Sequence, residues 1–351
     1  MNSSAHPLAI DLEEILTQTQ PDFEALRGGR IFLTGGTGFI GCWLLDSFGW
    51  ARERLGLDLE VVVLTRDPAV FVAKEPRLAA LPGVTLVQGD VRNFAFPPGR
   101  FTHVIHAATA ASAQLNTESP LVMIDTIVEG TRRVLDFAVH SGAKVFLHTS
   151  SGGVYGRQPA DVVGLAEDYL GAPDPFDPWS AYGEAKRMAE LLGTIYARQH
   201  ALQHKVARIF ALVGPRLPLD IHYAMGNFIR DAMRGGPIRI GGDGTPYRSY
   251  LYAGDLVAWL WTILVRGRPD RPYNCGSDHA VSIAETARAV REALQLSCEI
   301  DIARQALPGQ PGSRYIPAIK RVAEELNLRP RVDLLAGIRR TAAWYRRPDL
   351  A

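Results

Sequence analysis

Cysteine is scarce in this chain of 351 residues, which holds only Cys42, Cys275 and Cys298. They lie far apart and form no CxxC pair, which argues against a disulfide framework and a cysteine-based zinc site. Charge of one sign is missing too. Lysine and arginine number 38 against 37 aspartates and glutamates, so no global field draws the molecule to nucleic acid or to an anionic membrane. No apolar run is long enough to span a bilayer. Residues 1–20 lack the basic start and long apolar stretch of a secretion signal. Repeats and low-complexity tracts are absent as well. These absences lead to the expectation of a soluble cytoplasmic protein, with length for one large domain or two modest ones.

What the chain does have is a glycine pattern in a telling place. Ile31-Phe32-Leu33 is a short apolar run, Gly35, Gly38 and Gly41 follow, and residues 42–48 repeat apolar positions at helical spacing. Strand, glycine turn and helix together form the context of a dinucleotide site. Gly35 permits a tight turn, Gly38 lets backbone approach a pyrophosphate, and Gly41 lets helix pack on strand. The helix start adds free amides and a positive dipole end. The spacing G-x-x-G-x-x-G is by itself also that of a turn that merely closes a strand–helix unit.

Further strands are expected at residues 59–64, 84–87, 104–108, 144–151 and 206–210, with helical spacing over 121–139. Near-continuous apolar strands alternating with helices predict a Rossmann-type doubly wound parallel α/β sheet. Residues 1–29 form a helical extension without assigned chemistry, 30–213 a dinucleotide-binding domain, and 214–351 mainly a smaller α/β substrate lobe. Within the last, 250–266 returns to the first domain and Ser282 with Glu285 is a capping box. Ser180 is a candidate cap of the helix that follows the Pro-rich residues 173–178. The second strand ends at Thr65, followed by Arg66 and Asp67. An acid there serves a ribose 2′-hydroxyl, an arginine a 2′-phosphate, so NAD and NADP both stay open. Asp90 is a candidate adenine contact.

Tyr182 and Lys186 stand one helical turn apart on one face. A neighbouring ammonium favours a phenolate, which would let Tyr182 take a proton from a sugar hydroxyl as hydride leaves the same carbon. Ser151, ending the fifth strand, is placed to hydrogen-bond that hydroxyl. His106 and His148 are expected to be packed, and His200 and His204 to lie on a helix surface rather than hold zinc. His222 is a guess for a sugar contact. Glu167 and Asp168 are expected in a solvated loop, with a role as substitute catalytic acid as the alternative for either.

In order, Gly35-x-x-Gly38-x-x-Gly41, Asp90, His106-Ala107-Ala108, Ser150-Ser151, Val154-Tyr155-Gly156, Tyr182-x-x-x-Lys186 and Arg208-Ile209-Phe210 resemble extended short-chain dehydrogenases/reductases. More narrowly, they resemble the NAD-dependent nucleotide-sugar epimerase/dehydratase family, over roughly residues 30–345. The resemblance implies a tightly held NAD, a nucleoside-diphosphate sugar, and a homodimer joined through a four-helix bundle. It makes Tyr182 the base, with Lys186 also on the nicotinamide ribose and Ser151 orienting the sugar. The implied cofactor set is Gly35, Thr37, Gly38, Phe39, Ile40, Gly41, Thr65, Arg66, Asp90, Val91, Ala107, Ala108, Thr109 and Thr149, with Tyr182 and Lys186. Arg248 and Arg314 look like the arginines that grip the substrate diphosphate, and Asn227 like a nucleotide contact. No metal is implied.

Departures bear on the outcome. Where the dehydratase and decarboxylase branches carry carboxyl side chains, this chain has Gly152 and Gly153. The usual asparagine after Arg-Ile-Phe is Ala211, and another in the preceding helix is Ile127 or Thr126. Glycines supply neither the acid nor the base that dehydration needs. The favoured expectation is therefore C4 epimerisation by transient oxidation. A 4,6-dehydratase, a decarboxylase and a 4-ketoreductase are alternatives, and a non-catalytic nucleotide-binding regulator is the alternative of another class.

Overall fold

The structure, a computed structural model, describes residues 6–109, 113–221, 224–307 and 309–347. Its centre is a parallel sheet of seven strands: β1 (Arg30–Thr34), β2 (Glu60–Thr65), β3 (Val84–Gln88), β4 (His103–His106), β5 (Val145–Ser151), β6 (Gln203–Ile209) and β7 (Pro272–Cys275). They lie in the order β7-β6-β5-β4-β1-β2-β3, and every ladder is parallel. Strand order reverses between β1 and β4, which is where open α/β sheets bind ligands.

The strands are apolar on both sides because both sides are covered. Ile31 and Leu33 join one core with helix α2 (Phe39–Leu55), while Phe32 joins a second with α3 (Pro120–Ser141). Helix α4 (Ala181–His200) lies beside α3, and α5 (Ala253–Arg266) packs on the first face. Every residue of α5 from 253 to 264 is buried. A helix apolar all round must be covered all round. Its outer cover is α1 (Ala9–Ala25), whose Phe23 ring lies 4.8 Å from that of Trp261. The expected N-terminal helix is therefore part of the core. It is also tied by polar contacts. Tyr252 donates to Asp11 at 2.7 Å, Thr262 donates to Asp22 at 2.9 Å, and Arg266 Nε donates to Asp22 at 2.7 Å.

Beyond β6 lie smaller sheets. Strand Tyr247–Arg248 runs between Val281–Ser282 and Arg314–Tyr315. Ser282 and Glu285 form the expected capping box. Three expectations are corrected. His204 sits in β6, buried, because Ala201 in the left-handed conformation (φ 53°) ends α4 and turns the chain. Ser180 precedes α4 but makes no side-chain cap; Asn116 Oδ1 accepts from Tyr182 N instead, at 3.1 Å. Glu167 is buried rather than solvated and accepts from Asn274 N at 3.0 Å. His222 lies outside the described residues. No helix of the described residues is long and apolar enough to cross a membrane, and no group of three metal-ligating side chains occurs among them.

Candidate active site

The glycine turn joins β1 to α2 at the carboxyl edge of the sheet. Gly35 has φ 72°, and a Cβ there would stand 2.5 Å from the Ala107 carbonyl. A Cβ on Gly41 would stand 2.2 Å from Gly35 O. Both glycines are demanded by the protein's own packing. Gly38 is different. It is exposed at φ −88°, and its Cβ would meet nothing nearer than Gly35 O at 3.4 Å. The space a side chain would fill is left open in front of the first amides of α2, where Phe39 and Ile40 begin the helix. That open cradle fits a pyrophosphate.

The other candidate cofactor residues line the same edge. Ala107 N donates to Thr34 O at 3.1 Å, and Ala108 N donates to Thr34 Oγ1 at 3.2 Å. These bonds hold the β4 end against the turn. Thr37 is half-buried within the turn, and Thr109 Oγ1 is buried without a partner among the described residues. Val91 packs on α3 where Gly130 leaves room. Thr65 ends β2 and Asp90 follows β3; Asp90 accepts from Arg92 Nε at 2.8 Å. Arg92 holds the Asp90 carboxyl below its ordinary range.

Ser151 ends β5 and accepts from Gly153 N at 3.1 Å, which starts the short turn Gly152–Tyr155. Helix α4 then brings Tyr182 against the same turn. A Cβ on Gly153 would lie 3.4 Å from Ser151 Oγ and 3.5 Å from the Tyr182 ring, so both side chains border this glycine. Lys186 is buried, with Nζ 6.0 Å from the centre of the Tyr182 ring. It donates to Thr149 O at 2.9 Å, while Thr149 Oγ1 donates to His106 O at 3.1 Å. Burial pushes the Lys186 ammonium down to about 8, and Glu190 one turn on opposes the shift.

Behind these side chains, Glu190 and Asn274, which the sequence did not single out, tie Tyr155 and Arg208 of its motifs together. Glu190 accepts from Ser150 at 2.5 Å and from Arg208 Nη2 at 2.7 Å. Arg208 Nη1 donates to the Tyr155 hydroxyl at 2.9 Å, and Tyr155 donates to Asn274 at 2.8 Å. This chain of bonds fixes the back of the Ser151 turn. The signal for Glu190 was its i+4 position after Lys186 on one helix face. Asn116, which holds the start of α4, gave none. His106 is buried, with nitrogens 2.8 Å from Thr34 Oγ1 and 3.1 Å from Thr131 Oγ1. His148 is buried beside it, ring centres 5.7 Å apart.

Of the substrate candidates, two are brought together. Arg248 and Arg314 sit on adjacent strands, in register with Tyr315 and Tyr247. Arg314 lies 5.0 Å from the centre of the Tyr247 ring, its Nε buried without a hydrogen bond among the described residues. The neighbouring Tyr315 hydroxyl would stand 2.6 Å from a Cβ on Gly152, so this strand reaches the Ser151 turn. Asn227 instead accepts from Arg230 Nη1 within its own helix, at 3.3 Å. Ile127 is buried against the face of α4 that carries Ala185 and Ala189, and Thr126 donates to Val122 O.

Comparison with known proteins settles the family. A model of the NAD dependent epimerase/dehydratase family matches residues 31–276. The chain belongs to this family. UDP-glucuronic acid decarboxylase 6 of Arabidopsis thaliana is 33% identical over 312 residues, covering 88% of this chain and 86% of the relative. Among solved structures, dTDP-glucose 4,6-dehydratase from Streptomyces venezuelae with NAD bound has a TM-score of 0.76 at 24% identity, covering 90% of this chain and 97% of that one. UDP-glucuronic acid 4-epimerase from Bacillus cereus, in complex with UDP-glucuronic acid and NAD, has a TM-score of 0.75 at 21% identity, covering 90% and 98%. These two likenesses establish the family's fold in this chain. Its cofactor class is nicotinamide dinucleotide, which the open cradle at Gly38 fits.

Proposed function

We propose that this member of the family oxidises C4 of a nucleoside-diphosphate hexuronate and releases carbon dioxide. The observation that carries the oxidation step is that Ser151 and Tyr182 both border Gly153, with buried Lys186 Nζ 6.0 Å from the centre of the Tyr182 ring. The bound nicotinamide supplies a hydride acceptor. Tyr182 takes the proton of the C4 hydroxyl, Ser151 holds its oxygen, and the Lys186 ammonium stabilises the negative charge on the phenol. Arg248 and Arg314 bind the diphosphate through their planar forks.

The substrate class is supported by the decarboxylase relative, and the chemistry accommodates the glycines. A ketone at C4 stands β to the C6 carboxylate. The C5–C6 electron pair moves into the carbonyl as carbon dioxide leaves, so no base is required; C5 then takes a proton from solvent, and the hydride returns to C4 with the proton held by Tyr182, which leaves the pentose. The oxygen that gains charge is the one held by Ser151 and Tyr182. Elimination of water would need an acid and a base that Gly152 and Gly153 do not supply.

C4 epimerisation is the second reading, favoured by those same glycines because it needs no proton donor to C5. Intact Ser151, Tyr182 and Lys186 speak against a non-catalytic regulator. A homodimer is proposed through α3 and α4, which expose Leu121, Val122, Met188, Leu191 and Ile195. Incubation with UDP-glucuronic acid, and in parallel with UDP-glucose, each with NAD or NADP, followed by chromatography that separates sugar-nucleotide isomers and by mass spectrometry, tests the outcome. A nucleoside-diphosphate pentose supports decarboxylation. An isomer of unchanged mass replaces it with epimerisation, and a 4-keto-6-deoxy sugar from UDP-glucose overturns both.

A further inference from the structure

We infer that the dinucleotide this chain selects is the 2′-phosphorylated form, and that Arg66 selects it. The inference rests on the dinucleotide reading above and is independent of the sugar. A carboxylate at the end of the second strand accepts the hydrogen bond of a ribose 2′-hydroxyl, whereas a nearby arginine accommodates a 2′-phosphate. Here the strand end is Thr65, buried, with its hydroxyl 3.5 Å from Asp67 O. Two acids near it are already engaged. Asp67 caps the helix Pro68–Lys74, accepting from Val70 N at 3.0 Å. Asp90 accepts two bonds from the Arg92 side chain, at 2.8 and 3.1 Å, and one from its amide at 2.9 Å.

Arg66 is the counterpart. It is exposed, and among the described residues its guanidinium makes no hydrogen bond or ion pair. Its carbonyl accepts from Gln88 Nε2 at 3.4 Å, which anchors the backbone to the end of β3. The guanidinium is near enough to Asp90 to help the dominant Arg92 keep that carboxyl ionised. The strand end therefore offers an always-charged planar fork with no ion pair among the described residues, while the carboxylates nearest it, Asp67 and Asp90, are already engaged by Val70 N and Arg92.

The test is equilibrium binding by calorimetry. Full-length protein freed of copurified nucleotide is titrated with NADP and NAD, and with 2′,5′-ADP and 5′-ADP as probes of the adenosine half. The phosphorylated member of each pair is expected to bind at least about tenfold tighter, the margin of one charge-assisted contact. Arg66→Ala should erase that margin, leave NAD affinity within about twofold, and leave the thermal midpoint unchanged. NAD binding as tightly as NADP to the unaltered protein overturns the inference. So does an Arg66→Ala variant that weakens both dinucleotides alike. Binding of neither dinucleotide overturns this inference and the reading beneath it.

Discussion

Replacing Gly38 by aspartate separates the glycine that a ligand requires from those that the fold requires. Gly38 is the N-cap of α2, with φ −88° and ψ −177°, a conformation open to any residue. A Cβ there has 3.4 Å of clearance. Aspartate at an N-cap is better than glycine by a few tenths of a kcal/mol, and its charge at the positive helix end adds roughly 0.3–1 kcal/mol. At about 2–4 °C per kcal/mol for a protein of this order of size, the thermal midpoint should hold or rise by up to about 4 °C. The same carboxylate would occupy the open cradle assigned to the pyrophosphate. Losing two charge-assisted amide contacts, about 1.5–3 kcal/mol each, predicts roughly a hundredfold or greater loss of dinucleotide affinity. Gly41→Ala is the contrasting control. Its methyl would stand 2.2 Å from Gly35 O, so it should destabilise the protein by about 1–3 kcal/mol or more. Differential scanning fluorimetry and calorimetric titration read the two effects. A Gly38→Asp protein that binds the dinucleotide normally, or that unfolds early, would refute the assignment of this glycine to the cofactor.

Two further outcomes follow from the core. His106 and His204 are buried, with burial pushing them down to about 3 and about 4, and His148 lies well below its ordinary value for the same reason. The unfolded chain takes up these protons as pH falls below about 6.5 while the folded chain does not, so stability falls on acidification. Between pH 6.5 and 5 His106 and His204 should each remove about 1.5 kcal/mol, with His148 acting in the same direction; urea unfolding that stayed flat across this window would contradict the burial of these rings. Deleting residues 1–28 strips Leu12, Ile15, Leu16 and Phe23 from the outer face of α5. At about 1.5–3 kcal/mol per buried side chain this rivals the whole stability of a typical protein, so the truncated chain should be insoluble or molten by near-ultraviolet circular dichroism. A truncated chain with native spectra and thermal midpoint would show the helix to be dispensable.

Most of the sheet was legible because its strands are unbroken apolar runs between polar turns, and α2, α3 and α5 because their apolar positions repeat at helical spacing. The seventh strand was not. Pro272-Tyr273-Asn274-Cys275 has a proline and an asparagine in four residues. It belongs to the sheet because Asn274 is satisfied there, donating to Leu165 O and Ala318 O and accepting from Tyr155. Glu167 was misplaced for a related reason. A loop carboxylate looks solvated until its partners, Asn274 N and Arg321 at 3.7 Å, arrive from distant parts of the chain. Ser151, Tyr182 and Lys186 were legible as motifs, yet the convergence of Ser151 and Tyr182 on Gly153 depends on how α4 docks on the end of β5. The adjacency of Arg248 and Arg314 depends on pairing between strands far apart in sequence, which local pattern does not encode.

The central claim is that the Tyr182 phenol removes a proton from a sugar hydroxyl while hydride passes to the dinucleotide. Rapid mixing of the dinucleotide-loaded protein with a nucleoside-diphosphate sugar that it turns over, followed by reduced-nicotinamide fluorescence, reads that step directly. A transient signal is expected from the unaltered protein, and from Tyr182→Phe no signal, with calorimetric affinity for the dinucleotide retained. Equal signals from the two proteins would contradict the account.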